Sequence, residues 1–220
     1  MSEHGKRKGM RLAAKFLLYF SISLIAPSIS LGNDTTIEQN EVKKFVEKVY
    51  SYDPDTFSLG RFSEKDGSPF LLNRTSESRG KFDPTRHCAF LRNFFEEGAI
   101  SKNNNRSGTT ECSADYRYPN LDAENLSSAT RYISIPKPII NSPEVNGSLA
   151  KVSVLTEGEE ISLGRSLYFL RKSEVGWRIT NVMIHTKWPD VDDGTRNCYY
   201  SFARKPSAED SKEIPPHCRR

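Results

Sequence analysis

The chain lacks most of the patterns on which small-protein chemistry is built. It has four histidines in 220 residues, and none stand at H-x-x-x-H or H-E-x-x-H spacing, so a zincin-type metal site has no ligands. It has four cysteines but no C-x-x-C, the spacing that zinc ribbons and thioredoxin-like sites use. G-x-S-x-G, the phosphate-binding loop and the dinucleotide fingerprint are all missing. The run Asp190, Asp192, Asp193, Gly194 has the composition of a calcium loop. An EF-hand needs Gly at its sixth position and Glu at its twelfth; here Gly falls fifth and Ser201 twelfth, which reads as a tight turn. No cofactor and no metal is expected. Nor is any apolar run long enough to span a bilayer. Phe16–Ile25 is about ten to twelve residues, short of the ~20 a spanning helix needs.

That short run has a use of its own. Lys6, Arg7, Lys8, Arg11 and Lys15 precede it, and small and polar residues, Pro27 to Gly32, follow it. A basic lead, a short apolar core and a small-residue zone make a secretory signal peptide, so residues 1–32 are expected to be removed and 33–220 to work in the periplasm. Cleavage also changes the charge. The whole chain has 32 basic and 28 acidic residues; residues 1–32 hold five basic and one acidic, which leaves 27 of each in 33–220. The net charge of +4 therefore belongs to the leader, and the mature part has no basic field for nucleic acid. Sequons at Asn33, Asn73, Asn105, Asn125 and Asn146 are inert if the protein is bacterial, as the short leader suggests.

All four cysteines, Cys88, Cys112, Cys198 and Cys218, lie in the mature part. An even count in an exported chain points to two disulfides, and four cysteines allow three pairings. Cys88–Cys112 with Cys198–Cys218 is the preferred one, because each closes a local loop worth about 3 kcal/mol in the chain-entropy account. The second would staple a Pro-rich tail (Pro206, Pro215, Pro216) to the strand-like run before it.

The apolar period changes along the chain. Val42, Phe45, Val46 and Val49 give one face of a helix over 35–50, with Thr35–Glu38 as a capping box and Asp53-Pro54 as its end. Residues 55–82 read as a loop with at most a short turn of helix. Asp83-Pro84 starts a second helix, carried by Phe90, Leu91, Phe94 and Phe95 and stopped at Gly98, and 101–110 reads as a polar loop. From there the period falls to two. Arg131–Ile135, Leu149–Leu155, Ser166–Arg171, Trp177–Ile184 and Asn197–Ala203 read as strands of an antiparallel meander. Helices first and a sheet after is an α+β layout, one domain over 33–220 with a core at about 37–184 and a C-terminal extension at 185–220. The charges of residues 204–220 read as a solvated tail.

Ser166-Leu167-Tyr168-Phe169-Leu170-Arg171, a turn, then Gly176-Trp177-Arg178-Ile179-Thr180-Asn181-Val182 resembles the last hairpin of exported members of the nuclear transport factor 2-like (cystatin-like) superfamily. The helix at 37–50 resembles the first helix of those domains, and the resemblance spans about 37–184. It implies a cone: N-terminal helices packed on a bent antiparallel sheet, with a pocket between them. Related domains often dimerise through the sheet face, which leaves a homodimer open, with no residue of this chain pointing to one. This chain departs from the pattern by a cysteine-bearing insertion at about 101–130 and by the stapled extension. Members include enzymes and binding modules, so the fold does not carry the function.

Candidate contact residues are Tyr116, Arg117 and Tyr118, the residue types enriched at binding hot spots, and His185, which follows the signature hairpin near Lys187 and Asp190. Phe90–Phe95 decide whether the cone is open or plugged. The expectation is a non-enzymatic module that binds a protein partner. Its concrete form, by analogy with exported proteins of this build, is an immunity protein that neutralises a secreted toxin. The alternatives are a small periplasmic hydrolase or isomerase using the cone pocket, and an envelope assembly or ligand-binding protein.

Overall fold

A computed structural model describes residues 31–74, 80–114, 137–158, 161–186 and 198–219. All of them fall in one compact unit, Leu31–Arg220. The first helix, α1 (Leu31–Tyr50), starts before the expected capping box, so Thr35–Glu38 lies inside it and Glu38 is turned to Lys172 instead (3.0 Å). Its apolar face is the expected one, with Val42, Val46 and Val49 fully buried. Asp53-Pro54 does end α1, but it also opens α2 (Pro54–Leu59): Asp53 caps the amide of Asp55 at 2.8 Å, and Pro54 takes the first turn, where its missing N–H costs nothing. The same chemistry recurs at α3 (Pro84–Leu91), where Asp83 accepts from the Arg86 amide at 2.9 Å.

Between these helices run two short strands, β1 (Arg61–Phe62) and β2 (Lys81–Phe82), paired antiparallel. The second expected helix ends at Leu91, well before Gly98. Phe94 and Phe95 leave it to join the sheet: the Ile179 amide donates to the Phe94 carbonyl (2.7 Å) and the Glu96 amide to the Ile179 carbonyl (2.9 Å). Nor is the stretch after it a loop. Residues 101–113 form a hairpin of β3 (Ser101–Asn104) and β4 (Thr110–Ser113), turned at Asn105, whose side-chain oxygen accepts from the amides of Ser107 and Thr109. Cys88–Cys112 ties that hairpin to α3, with Cα atoms 5.2 Å apart.

The main sheet follows β5 (Lys137–Ile140), β6 (Glu144–Asn146), β7 (Leu149–Gly158), β8 (Ile161–Ser173), β9 (Gly176–Thr186) and β10 (Tyr199–Phe202). The order across it is β10-β9-β8-β7-β5, with β6 on the other end of the β7 edge, all antiparallel. The register shifts between Thr156 and Gly158 on β7 and between Phe169 and Leu170 on β8, and such bulges bend a sheet. The helices pack on one face of it, so the described residues have the expected layout, α+β with N-terminal helices on a bent antiparallel sheet. The expected strand at 131–135 lies outside the described residues.

Register sorts the two faces. The rows Ala150–Leu170–Ile179 and Val152–Tyr168–Val182 point at the helices. The rows Lys151–Phe169–Asn181, Ser153–Leu167–Met183–Phe202 and Leu155–Arg165–His185–Tyr200 point the other way. On that outer face Leu167, Phe169 and Met183 are covered by Phe202 and Ile214 of the C-terminal segment. Cys198–Cys218 closes the segment, with Cα atoms 5.1 Å apart. The tail is therefore anchored on the sheet through Ile214, while its charged side chains Arg204, Lys205, Glu209 and Lys212 are exposed, as expected. No helix among the described residues is long and apolar enough to cross a membrane.

Candidate functional site

Among the described residues, rings fill the core between helices and sheet, where the cone implies a pocket, and a hollow of about 350 Å³ is left between the end of α1 (Lys43, Glu47, Tyr50, Ser51) and β5 (Lys137, Pro138, Ile140). Phe57, Phe90 and Phe94 meet with centroids 5.3 to 5.4 Å apart, Tyr52 meets Phe90 at 5.0 Å, and all but Tyr52 are buried. Edge-to-face packing at these distances is the preferred aromatic geometry. Two hydroxyls in this interior, those of Tyr50 and Tyr168, bond each other at 2.8 Å. His87, 2 % exposed, puts Nε2 at 2.8 Å from the Phe57 carbonyl and is a structural histidine.

The large concavity lies on the outer face. It is a groove of about 920 Å³ between the sheet and the segment 204–213. Leu149, Phe169, Glu96 and Gly98 are among its lining residues. The tail forms its wall through one buried amide. Asn181, 5 % exposed, donates from Nδ2 to the Asp210 carboxylate at 3.2 Å, and its Oδ1 accepts from the backbone amides of Val182 (3.0 Å) and Arg204 (3.2 Å). Asp210 also accepts from the Ser207 amide at 3.1 Å. A second tie is Lys151 on β7, which reaches Glu213 at 2.7 Å and Glu144 at 3.3 Å. These carboxylates, Glu213 first, raise the Lys151 pKa above the ordinary lysine value.

The extra residue of the β8–β9 bulge, Thr180, opens the ladder beside this wall. Its hydroxyl donates to the Phe169 carbonyl at 3.2 Å, and its own carbonyl accepts from Arg204 Nη1 at 3.3 Å. Arg171 pairs with Glu96 at 3.3 Å.

His185 stands on the same face but outside the groove. It lies opposite Arg165 and Tyr200, its ring stacked on Tyr200 with centroids 4.4 Å apart and planes 10° from parallel. Burial raises the Tyr200 pKa. Tyr116, Arg117 and Tyr118 lie outside the described residues, as do Asp190, Asp192 and Asp193. Cys198, His217 and Cys218 come within 4.8 Å of one another, but the two sulfurs are bonded to each other and offer no thiolate. The two disulfides are the locally closing pair.

The groove residues of the tail were missed in the sequence because Arg204–Glu213 read as solvent-facing charge. The signal that would have found them was there: Tyr200 and Phe202 alternate on a strand, Ile214 follows, and Cys218 returns the chain to Cys198.

No protein-family model matches the chain, and no curated protein matches it. Among solved structures it is similar to an NTF2-like protein of unknown function from Shewanella baltica OS155, at 14 % identity. The match covers 68 % of this chain and 95 % of that one, with a TM-score of 0.33, and nothing about ligand or activity passes from it to this chain.

Proposed function

We propose that this chain is an exported, non-enzymatic module that binds another protein at its surface. The observation that carries the reading is where the room lies. Phe57, Phe90 and Phe94 fill the described core and leave a hollow of only about 350 Å³ between α1 and β5, while the outer face carries a groove of about 920 Å³ walled by a disulfide-held tail. That favours recognition on the surface over chemistry in an interior pocket. Two disulfides support an oxidising compartment, and the leader supports export to the periplasm. The concrete form is an immunity protein against a secreted toxin, with Tyr116, Arg117 and Tyr118 as proposed contacts outside the described residues.

The test uses tagged residues 33–220 as bait for envelope proteins and for the products of adjacent genes. The expected result is one partner that re-forms a stoichiometric complex from purified components. If the partner is toxic alone and harmless in the complex, the immunity form stands. No complex at micromolar concentrations, together with turnover of a substrate in a hydrolase or isomerase screen, would overturn the module reading. Export is checked separately, by fractionation and by the mass of the mature N-terminus.

A further inference from the structure

The chain has one Asn-Gly pair, Asn146-Gly147. It stands at the tip of the β6–β7 hairpin, where Asn146 pairs with Leu149 and only Gly147 and Ser148 make the turn. Asn146, Gly147 and Ser148 are all exposed. Gly147 takes φ +58, the region that favours glycine, and no atom lies within 4 Å of where a Cβ would stand. Neither the Asn146 side chain nor the Gly147 amide has a hydrogen-bond partner among the described residues.

Two other asparagines show what protection looks like. Asn105 also sits at a turn, but its Oδ1 accepts from the amides of Ser107 and Thr109, its Nδ2 donates to Glu111, and Arg106 follows it. Asn181 is 5 % exposed and bonded at both ends of its amide. A side-chain amide fixed in this way cannot swing its carbon onto the next backbone nitrogen, and a Cβ on the next residue hinders the approach further. Asn146 has neither restraint.

We infer that Asn146 is a site of spontaneous deamidation on the rim of the outer groove. The Gly147 backbone nitrogen attacks Cγ of Asn146. The N–Cγ bond forms, the Cγ–Nδ2 bond breaks, and Nδ2 leaves as ammonia with the Gly147 amide proton. Water then opens the cyclic imide at one carbonyl or the other and leaves aspartate or isoaspartate at position 146. No oxidant or reductant enters the step.

The place gives the change a consequence. Glu144, Asn146, Leu149 and Lys151 share the groove side of the hairpin, and Lys151 already pairs with Glu144 and Glu213. Either product adds a carboxylate to that side. Isoaspartate also moves the side-chain methylene into the backbone. The turn then no longer fits the Asn146–Leu149 register or the bond from the Lys172 amide to the Ser148 carbonyl (2.7 Å). The inference stands apart from the protein-binding reading above.

The experiment is a timed incubation of the exported protein in mildly alkaline buffer, folded and in guanidinium chloride. Isoelectric focusing and peptide mapping by mass spectrometry read it. The folded sample should gain a species more acidic by one charge, mapped to Asn146 and containing isoaspartate. Its rate should fall within about tenfold of the rate in guanidinium chloride, because the fold adds little to the barrier. Asn146→Gln keeps an amide but needs a larger ring, and should remove the species. An intact Asn146 in the folded sample, after the guanidinium sample has reacted there, would overturn the inference. So would an acidic species that persists in Asn146→Gln, or a glycan found on Asn146.

Discussion

Asn181 is the residue on which the outer face turns. It is a buried amide whose Oδ1 and Nδ2 both serve the tail. Asn181→Ala should cost about 1–3 kcal/mol, because the Asp210 carboxylate loses a buried partner. Urea unfolding reads that loss, and faster proteolytic clipping within 204–213 reads the loosened tail. Part of this was legible. In Trp177-Arg178-Ile179-Thr180-Asn181-Val182-Met183-Ile184 the apolar alternation slips by one residue between Ile179 and Val182, which is how a bulge is written in sequence. What no local pattern gives is the partner of Asn181, since Asp210 lies 29 residues away. At Glu97, hydrogen bonds from Lys102 and then Arg92 hold the carboxyl down to about 2. The folded state prefers the charged form. Its contribution is complete above the ordinary glutamate value and is lost as pH falls toward about 2. The urea midpoint should therefore drop across that window, and Glu97→Gln should flatten part of the drop. The effect is small, because the group is exposed and screened.

Elements were legible where one period ran long enough. α1 and β7 to β9 follow their apolar spacing to within a few residues at most ends, although α1 begins at Leu31 and β8 at Ile161. Short elements were not. α2 has six residues, and β5 and β6 have four and three, too few for a period to repeat. α2 did carry a cap and a proline, the same signature that marked α3, but Asp53-Pro54 was read only as a stop. The tail is an element without regular period, and its fastening is covalent. Replacing Cys198 and Cys218 by Ser should cost about 3 kcal/mol for a loop of this length. Leu167, Phe169 and Met183 lie beneath that loop, so the same variant should bind the dye ANS more strongly. A variant that lost stability with no gain in dye binding would show that the tail stays seated on Phe202, Ile214 and Asn181 without the disulfide.

For the whole molecule, the proposed removal of residues 1–32 would change the charge. The full chain has a pI of about 8.8 and a net charge of +4, and residues 33–220 balance at 27 and 27. Isoelectric focusing of the exported protein should give a near-neutral band. A basic band would show that the leader is retained, and heparin retention would follow the leader in the same way. The covalent layout adds a consequence for assembly. The two disulfides draw two separate rings on the chain, 88–112 and 198–218, and neither encloses the other. β5 to β9 lie on the open chain between them. In a polypeptide that emerges N-terminus first, Cys88 and Cys112 can pair before Cys198 appears, which leaves Cys198 and Cys218 for each other. Each bond joins residues that appear close together in time, so native pairing follows chain order when the first ring closes before Cys198 appears. The second ring closes only after the last strand is through, as the final knot in the thread.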